Sequence, residues 1–158
     1  MIRLNPMSVI NSFDEIIPLA GEHHEVYLRA VAQGVQQYKP PVSMALDQMT
    51  AARSMKVAQQ TVLVVEPTEK RLRHYKTLHF ASAMGPNLQV GWYLIGGDRA
   101  GGHDVGGFGF MNVGAASDMD VSKVNSITKL IHQYAVIPAI QQIASGTQPA
   151  QPGGFFGA

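Results

Sequence analysis

The chain has 158 residues, of which 46% are hydrophobic and 15% are charged, a composition typical of one globular domain rather than of a disordered chain. It contains no cysteine, which excludes disulfides, cysteine-ligated metals and thiol catalysis. Its 12 Lys and Arg residues balance 11 Asp and Glu residues, so no strong overall charge steers it toward nucleic acid or membrane.

The first residues of the chain lack the apolar core of a secretory signal. No stretch of the sequence approaches the roughly 20 apolar residues that span a bilayer. The sequence therefore predicts a soluble protein with neither a signal peptide nor a transmembrane segment, located in the cytoplasm or within an assembled particle.

Three helices are predicted in the first third of the chain. Ser12 and Glu15 form a capping-box pattern for a first helix, which Pro18 ends. A second helix runs from about Glu22 to Gln37, with apolar residues on one face. Ser43 begins a third helix through about Val57, because alanine and methionine favour helix, although the alternation from Val42 to Asp47 also fits a strand.

Strands are predicted in the middle of the chain. The β-branched run 61–65 predicts a buried strand, and the runs 72–82 and 88–95 predict a hairpin around Gly85 and Pro86. A fourth strand is predicted at 108–113. The predicted apolar face of this sheet carries Leu78, Phe80, Val90, Trp92 and Leu94. Its predicted polar face carries Arg71, Arg73, Tyr75, Thr77 and His79.

A long helix is predicted after a glycine-rich loop at 96–107. Ser117 or Asp118 caps it, Pro138 kinks it and Gly146 ends it. Its predicted core stripe is formed by Val121, Val124, Thr128, Ile131 and Ala135, which Ile127, Leu130, Tyr134 and Ile137 widen. The predicted fold class is α+β: N-terminal helices, an antiparallel meander of three to four strands, and this helix packed on the sheet.

The sequence divides into one α+β domain at 1–146 and a Pro/Gly-rich tail at 147–158. Phe155 and Phe156 in that tail are the leading candidate for subunit contact, because exposed phenylalanines stabilise an assembly when they become buried. Charge is also segregated: residues 1–25 hold one base and four acids, whereas 26–76 hold eight bases and three acids. This pattern favours electrostatic contact between or within subunits.

Two other candidate sites are read from the sequence. The basic residues Arg71, Arg73 and Lys76, with His74 and Tyr75, resemble a patch for single-stranded nucleic acid or phosphate. His103 and Asp104 in the glycine-rich loop are candidates for a lid over a ligand or an active site, although adjacent residues rarely form an acid–base dyad. The adjacent histidines His23 and His24 do not fit a metal site, and no cofactor is predicted.

The leading hypothesis is a non-enzymatic structural subunit of a homo-oligomer or larger particle, such as a virion or secretion apparatus. In this hypothesis the tail and the glycine-rich loop contact neighbouring subunits, and the partners are other copies or other subunits of the particle. A nucleic-acid or phosphate-binding module is the first alternative. A small ligand-binding domain or enzyme is the second.

Overall fold

A computed structural model describes residues 1–51, 59–96 and 108–146, with the backbone alone for 51 and 108–118. Its strands are β1 (Ile2–Leu4), β2 (Val9–Ile17), β3 (Val42–Ala51), β4 (Gln60–Pro67), β5 (Tyr75–Met84) and β6 (Asn87–Gly96). Its helices are α1 (His24–Tyr38), α2 (Phe108–Ile131) and α3 (Ile137–Ala144), the last two joined by a π-helical turn, His132–Val136.

The strands form one mixed sheet in the order β1-β3-β4-β5-β6-β2. β1 lies parallel to β3, pairing Ile2–Leu4 with Met49–Ala51. Every other neighbouring pair is antiparallel. The amino-terminal segment therefore contributes to both edges of the sheet, with β1 at one edge and β2 at the other.

This shared segment requires the sheet to curl. Six flat strands would place the two edge strands about 24 Å apart, at about 4.8 Å between neighbours. Only Asn5–Ser8 separates β1 from β2, and the five residue steps from Leu4 to Val9 span at most about 18 Å. Because Pro6–Ser8 forms a 3₁₀ turn, the true span is shorter still. The sheet is accordingly a curled half-barrel.

The sheet has two apolar faces. The face that packs against α1, α3 and the second half of α2 is here called the outer face, and its core includes Tyr27, Leu63, Trp92 and Ile131. The opposite face, here called the inner face, holds a cluster composed, among the described residues, of strand side chains alone: Ile2, Leu4, Val9, Met49, Val62, Val64, Leu78, Phe80, Tyr93 and Ile95. Both edge strands contribute side chains to this inner cluster.

The predicted fold class is wrong, because the sheet has six strands and is mixed rather than an antiparallel meander of three to four. The first predicted helix is β2 and the described part of the third is β3, whereas α1 covers the residues of the second. Pairing explains the first error: Phe13 and Ile17 lie opposite Trp92 and Leu88, so core contacts in the sheet outweigh the local capping pattern.

The prediction of which hairpin residues share a face is also wrong, because the two strands pair with an offset of one residue from the predicted alignment. His79 lies opposite Trp92, and Thr77 lies opposite Leu94. Because facing residues share a side of the sheet, Tyr75, Thr77 and His79, which were predicted to face outward, lie under the helices, whereas Arg71 and Arg73 precede β5 and are exposed. Leu78 and Phe80 instead belong to the inner cluster.

The carboxyl-terminal helix begins at Phe108, so the strand predicted at 108–113 and the cap predicted at Ser117 or Asp118 are wrong. Pro138 produces a π-helical turn, in which the Ile137 N–H bonds the His132 carbonyl. Proline lacks an N–H and clashes with the carbonyl four residues earlier, so the helix widens before it. The helix ends where predicted: Ala144 is its last residue and Gly146 has φ +76°.

Candidate functional site

Four residues of the predicted sites lie outside the described part of the chain. They are Phe155 and Phe156 of the tail, and His103 and Asp104 of the glycine-rich loop. The tail begins directly after Gly146, where the helix ends. Its point of attachment is therefore known.

The basic segment forms a 3₁₀ turn, Lys70–Leu72, followed by the start of β5. Arg71 lies 3.5 Å from Asp120, and Lys76 lies 3.0 Å from Glu66. Arg73 is exposed and His74 is half-buried, with the His74 ring 4.9 Å from that of Tyr75. Tyr75 is buried, so its ring offers no open face on which a base could stack.

A second ion pair joins the same turn to α2. Lys123 lies 2.6 Å from Glu69, one helical turn from the Asp120 that pairs with Arg71. These contacts hold the turn against the helix. Of the bases predicted to neutralise phosphate, Arg71 lies beside the carboxylate of Asp120 and Lys76 beside that of Glu66.

An exposed apolar surface lies on the helices, on the side away from the sheet. We call it the tyrosine stripe: Tyr38 at the end of α1, with Leu130, Tyr134 and Ile137 on the carboxyl-terminal helix. Each of these side chains is between 38% and 46% exposed. The rings of Tyr38 and Tyr134 stack with centroids 4.3 Å apart and planes 9° from parallel, an arrangement that fixes both side chains.

The close approach of α1 to the π-helical turn, which brings the parts of this surface together, depends on a glycine. A Cβ added to Gly34 would lie 2.8 Å from both Cα and Cβ of Ala135, so only glycine fits there without displacement. The contact holds α1 against the π-helical turn and brings the ends of Tyr38 and Tyr134 together.

The prediction that Leu130, Tyr134 and Ile137 widen the helix core is wrong, because these side chains are partly exposed. The core stripe proper is Val124, Thr128, Ile131 and Ala135, all of which are buried. The exposed residues recur at spacings of four and three and so could have been identified from the sequence as a second stripe.

Two histidines lie where the sheet meets the carboxyl-terminal helix: His79 on β5 and His132 in the π-helical turn. Trp92 donates a hydrogen bond from Nε1 to Nδ1 of His132 at 3.1 Å, and the Phe13 ring lies 4.5 Å from that of His132. His79 is fully buried, with no hydrogen-bond partner for either ring nitrogen among the described residues. Burial, with a smaller contribution from nearby His132, lowers the pKa of His79 to about 3.

This pair does not form a metal site. No group of three or more His, Cys, Asp or Glu side chains within the described ranges could hold a metal ion. Burial also lowers the pKa of His132, although Glu15 opposes that shift. His79 is therefore a neutral packing group in the core at neutral pH.

An open groove of about 410 Å³ lies between β2 and α2. Its lining combines amides, hydroxyls and a single ammonium group: Ile10, Asn11, Ser122, Asn125, Ser126 and Lys129. Asn11 donates from Nδ2 to Oδ1 of Asn125 at 3.2 Å, so two of these polar groups bond to each other across the groove.

Comparisons with known proteins define no family: no family model, no curated protein and no solved structure matches this chain. Among the described helices, none combines the length and apolar character needed to cross a membrane.

Proposed function

We propose that the protein is a non-enzymatic building block of a homo-oligomer or larger particle, such as a virion or secretion apparatus. In this assembly the tail of one copy, through Phe155 and Phe156, contacts the tyrosine stripe of a neighbouring copy. The observation that carries the proposal is the tyrosine stripe: four partly exposed apolar side chains, of which three lie on the helical segment that leads to the tail and one, Tyr38, lies at the end of α1.

The chemistry of the two surfaces is complementary. Aromatic rings pack on one another with favourable edge and offset geometries, and burying each phenylalanine stabilises a contact by roughly 1.5–3 kcal/mol. Because Tyr38 and Tyr134 are already stacked, a partner binds them without restricting their rotation further. Little side-chain entropy is then lost on association.

The length of the tail allows this contact. Phe155 lies nine residues beyond Gly146, a distance of about 30 Å in an extended chain. Tyr134 lies about 18 Å back along the helix. Pro149 and Pro152 favour an extended tail over a sharp reversal, so we propose that the tail reaches the stripe of a neighbour rather than its own.

The experiment is light scattering behind size exclusion. We expect the full chain to form a larger species than a variant ending at Gly146. Tyr134→Glu should have the same effect as the truncation, because a carboxylate in the stripe prevents phenylalanine burial. Gln133→Glu is the matched control: it adds the same charge at the adjacent exposed position and should assemble like the full chain. A full chain that runs as a 17.1 kDa monomer at every concentration would refute the proposal.

A further inference from the structure

The edge of β3 that faces away from β4 is unpaired over most of its length. β1 pairs only with Met49–Ala51, and no other strand among the described residues lies beside β3 on that side. Residues 42–48 of β3 pair with β4. On the side of β3 that faces away from β4, no described strand pairs with these residues. The open edge therefore presents main-chain donors and acceptors that a further strand could pair with.

Hydrogen-bond geometry identifies which groups face outward. The Pro41 carbonyl accepts from the Thr68 N–H at 3.0 Å, toward β4. Because donors and acceptors alternate sides along an antiparallel strand, the N–H and C=O groups of Met44 and Leu46 point away from β4. The next outward N–H, that of Gln48, is already bonded to Oδ1 of Asp47 at 2.7 Å.

The two long edges of the sheet differ in how they are protected. β2 carries the exposed acids Asp14 and Glu15, and its register shifts between Val9 and Asn11. Charges and irregularities of this kind discourage strand pairing. β3 has no charge, proline or bulge between Val42 and Leu46. Leu46, on this edge, is 40% exposed.

We propose that the open edge of β3 pairs antiparallel with the same edge of a second copy of this chain. This inference rests on the proposed assembly function and names a second interface for it. The edge is self-complementary: in a register centred on Ala45, Met44 faces Leu46 of the second copy on one side. Ser43 faces Asp47 on the other, so no like charges meet. Such pairing is isologous and joins two half-barrels through one continuous sheet.

The experiment uses the full chain and the variant ending at Gly146, each with Leu46→Lys. A lysine on an edge strand blocks pairing by placing its charge in the contact. We expect the variant ending at Gly146 to be a dimer and its Leu46→Lys form to be a monomer that still unfolds cooperatively, with a lower melting temperature because association no longer stabilises the folded chain. Ile16→Lys is the matched control on the β2 edge, where the side chain is 47% exposed, and should leave the dimer intact.

The outcomes separate the two proposals. A Gly146 variant that is monomeric at every concentration overturns edge pairing, whatever the full chain does. Dissociation by Ile16→Lys overturns self-pairing, because it implicates β2 as the partner of β3. If truncation removes the large species but leaves a dimer, the result supports both interfaces. A full chain and a truncated chain that are both dimers support edge pairing and refute the role of the tail.

Amide hydrogen exchange tests the geometry directly. The protein concentration is raised from the range in which the chain is a monomer to the range in which it is a dimer. The amides of Met44 and Leu46 should then exchange at least about tenfold more slowly. The amide of Ala45 faces β4 and should exchange at the same rate at both concentrations. Protection of Met44 and Leu46 that is already complete in the monomer would overturn the proposal, because a segment of the same chain would then occupy the edge.

Discussion

Gly91→Ala should lower the free energy of unfolding by about 3 kcal/mol, the upper range for overpacking a dense core. A Cβ at position 91 would contact the Phe13 carbonyl oxygen at closer than van der Waals distance, and would lie 2.8 Å from Cζ of Phe80. Phe13 belongs to β2, so its main chain cannot yield without separating β2 from β6. Phe80 is stacked on Tyr93 at 5.1 Å, which limits movement of its ring.

Chemical denaturation and thermal melting measure this effect. For a domain of this size, about 3 kcal/mol corresponds to a decrease of about 10 °C in melting temperature. Gln89→Ala is the matched control, because it lies on the same strand and the same inner face but is only half-buried. It should change the free energy of unfolding by about 0.5 kcal/mol or less. Equal stability of Gly91→Ala and the wild type would contradict the close approach of β2 and β6.

His79→Leu should remove most of the acid sensitivity of the fold. The folded-state pKa of His79 is about 3, against 6.5 for an ordinary histidine. Between these values the unfolded chain binds a proton that the folded chain does not, so the free energy of unfolding falls as pH falls. The slope is at most about 1.4 kcal/mol per pH unit. The wild type should therefore lose about 2–3 kcal/mol between pH 7.5 and pH 4.5 through this group.

The variant isolates the contribution of His79. At pH 7.5 we expect His79→Leu to be at least as stable as the wild type, because the imidazole nitrogens it replaces have no hydrogen-bond partner among the described residues. The difference in free energy of unfolding should then widen in favour of the variant as pH falls. His132, whose pKa is also lowered, leaves a smaller slope of the same sign. Parallel curves for the two proteins would contradict neutral burial of His79.

The two predictions probe opposite faces of the sheet. Gly91 and Phe80 lie on the inner face, whereas His79 lies on the outer face beneath the helices.

Local patterns predicted the central strands and the end of the last helix. The β-branched run within β4 and the Gly85-Pro86 turn between β5 and β6 mark structure that depends on near neighbours. The backbone at the helix end has φ +76° at position 146, a conformation that favours glycine. These features were recognisable because the physical cause lies within a few residues of its effect.

Features that depend on distant residues were missed. Nothing near Ser12 indicates that its segment pairs with β6, more than 70 residues away, so the capping pattern alone predicted a helix. The one-residue error in the hairpin faces has the same origin: only the observed cross-strand pairing places His79 opposite Trp92. The stack of Tyr38 on Tyr134 was also missed, because it depends on the approach of Ala135 to Gly34.

The use of one segment for both edges of the sheet has a consequence for the order of folding. Ile17 pairs with Leu88 and Val9 with Ile95, so β2 can pair fully with β6 only after Gly96 has left the ribosome. At typical rates of synthesis the segment waits for about 4–16 s. The hairpins formed by β3 to β6 assemble from neighbouring contacts, which cost little loop entropy. We therefore expect the pairing of β2 with β6 to come last, so that the inner cluster, to which β2 contributes Val9, stays exposed to solvent until that step.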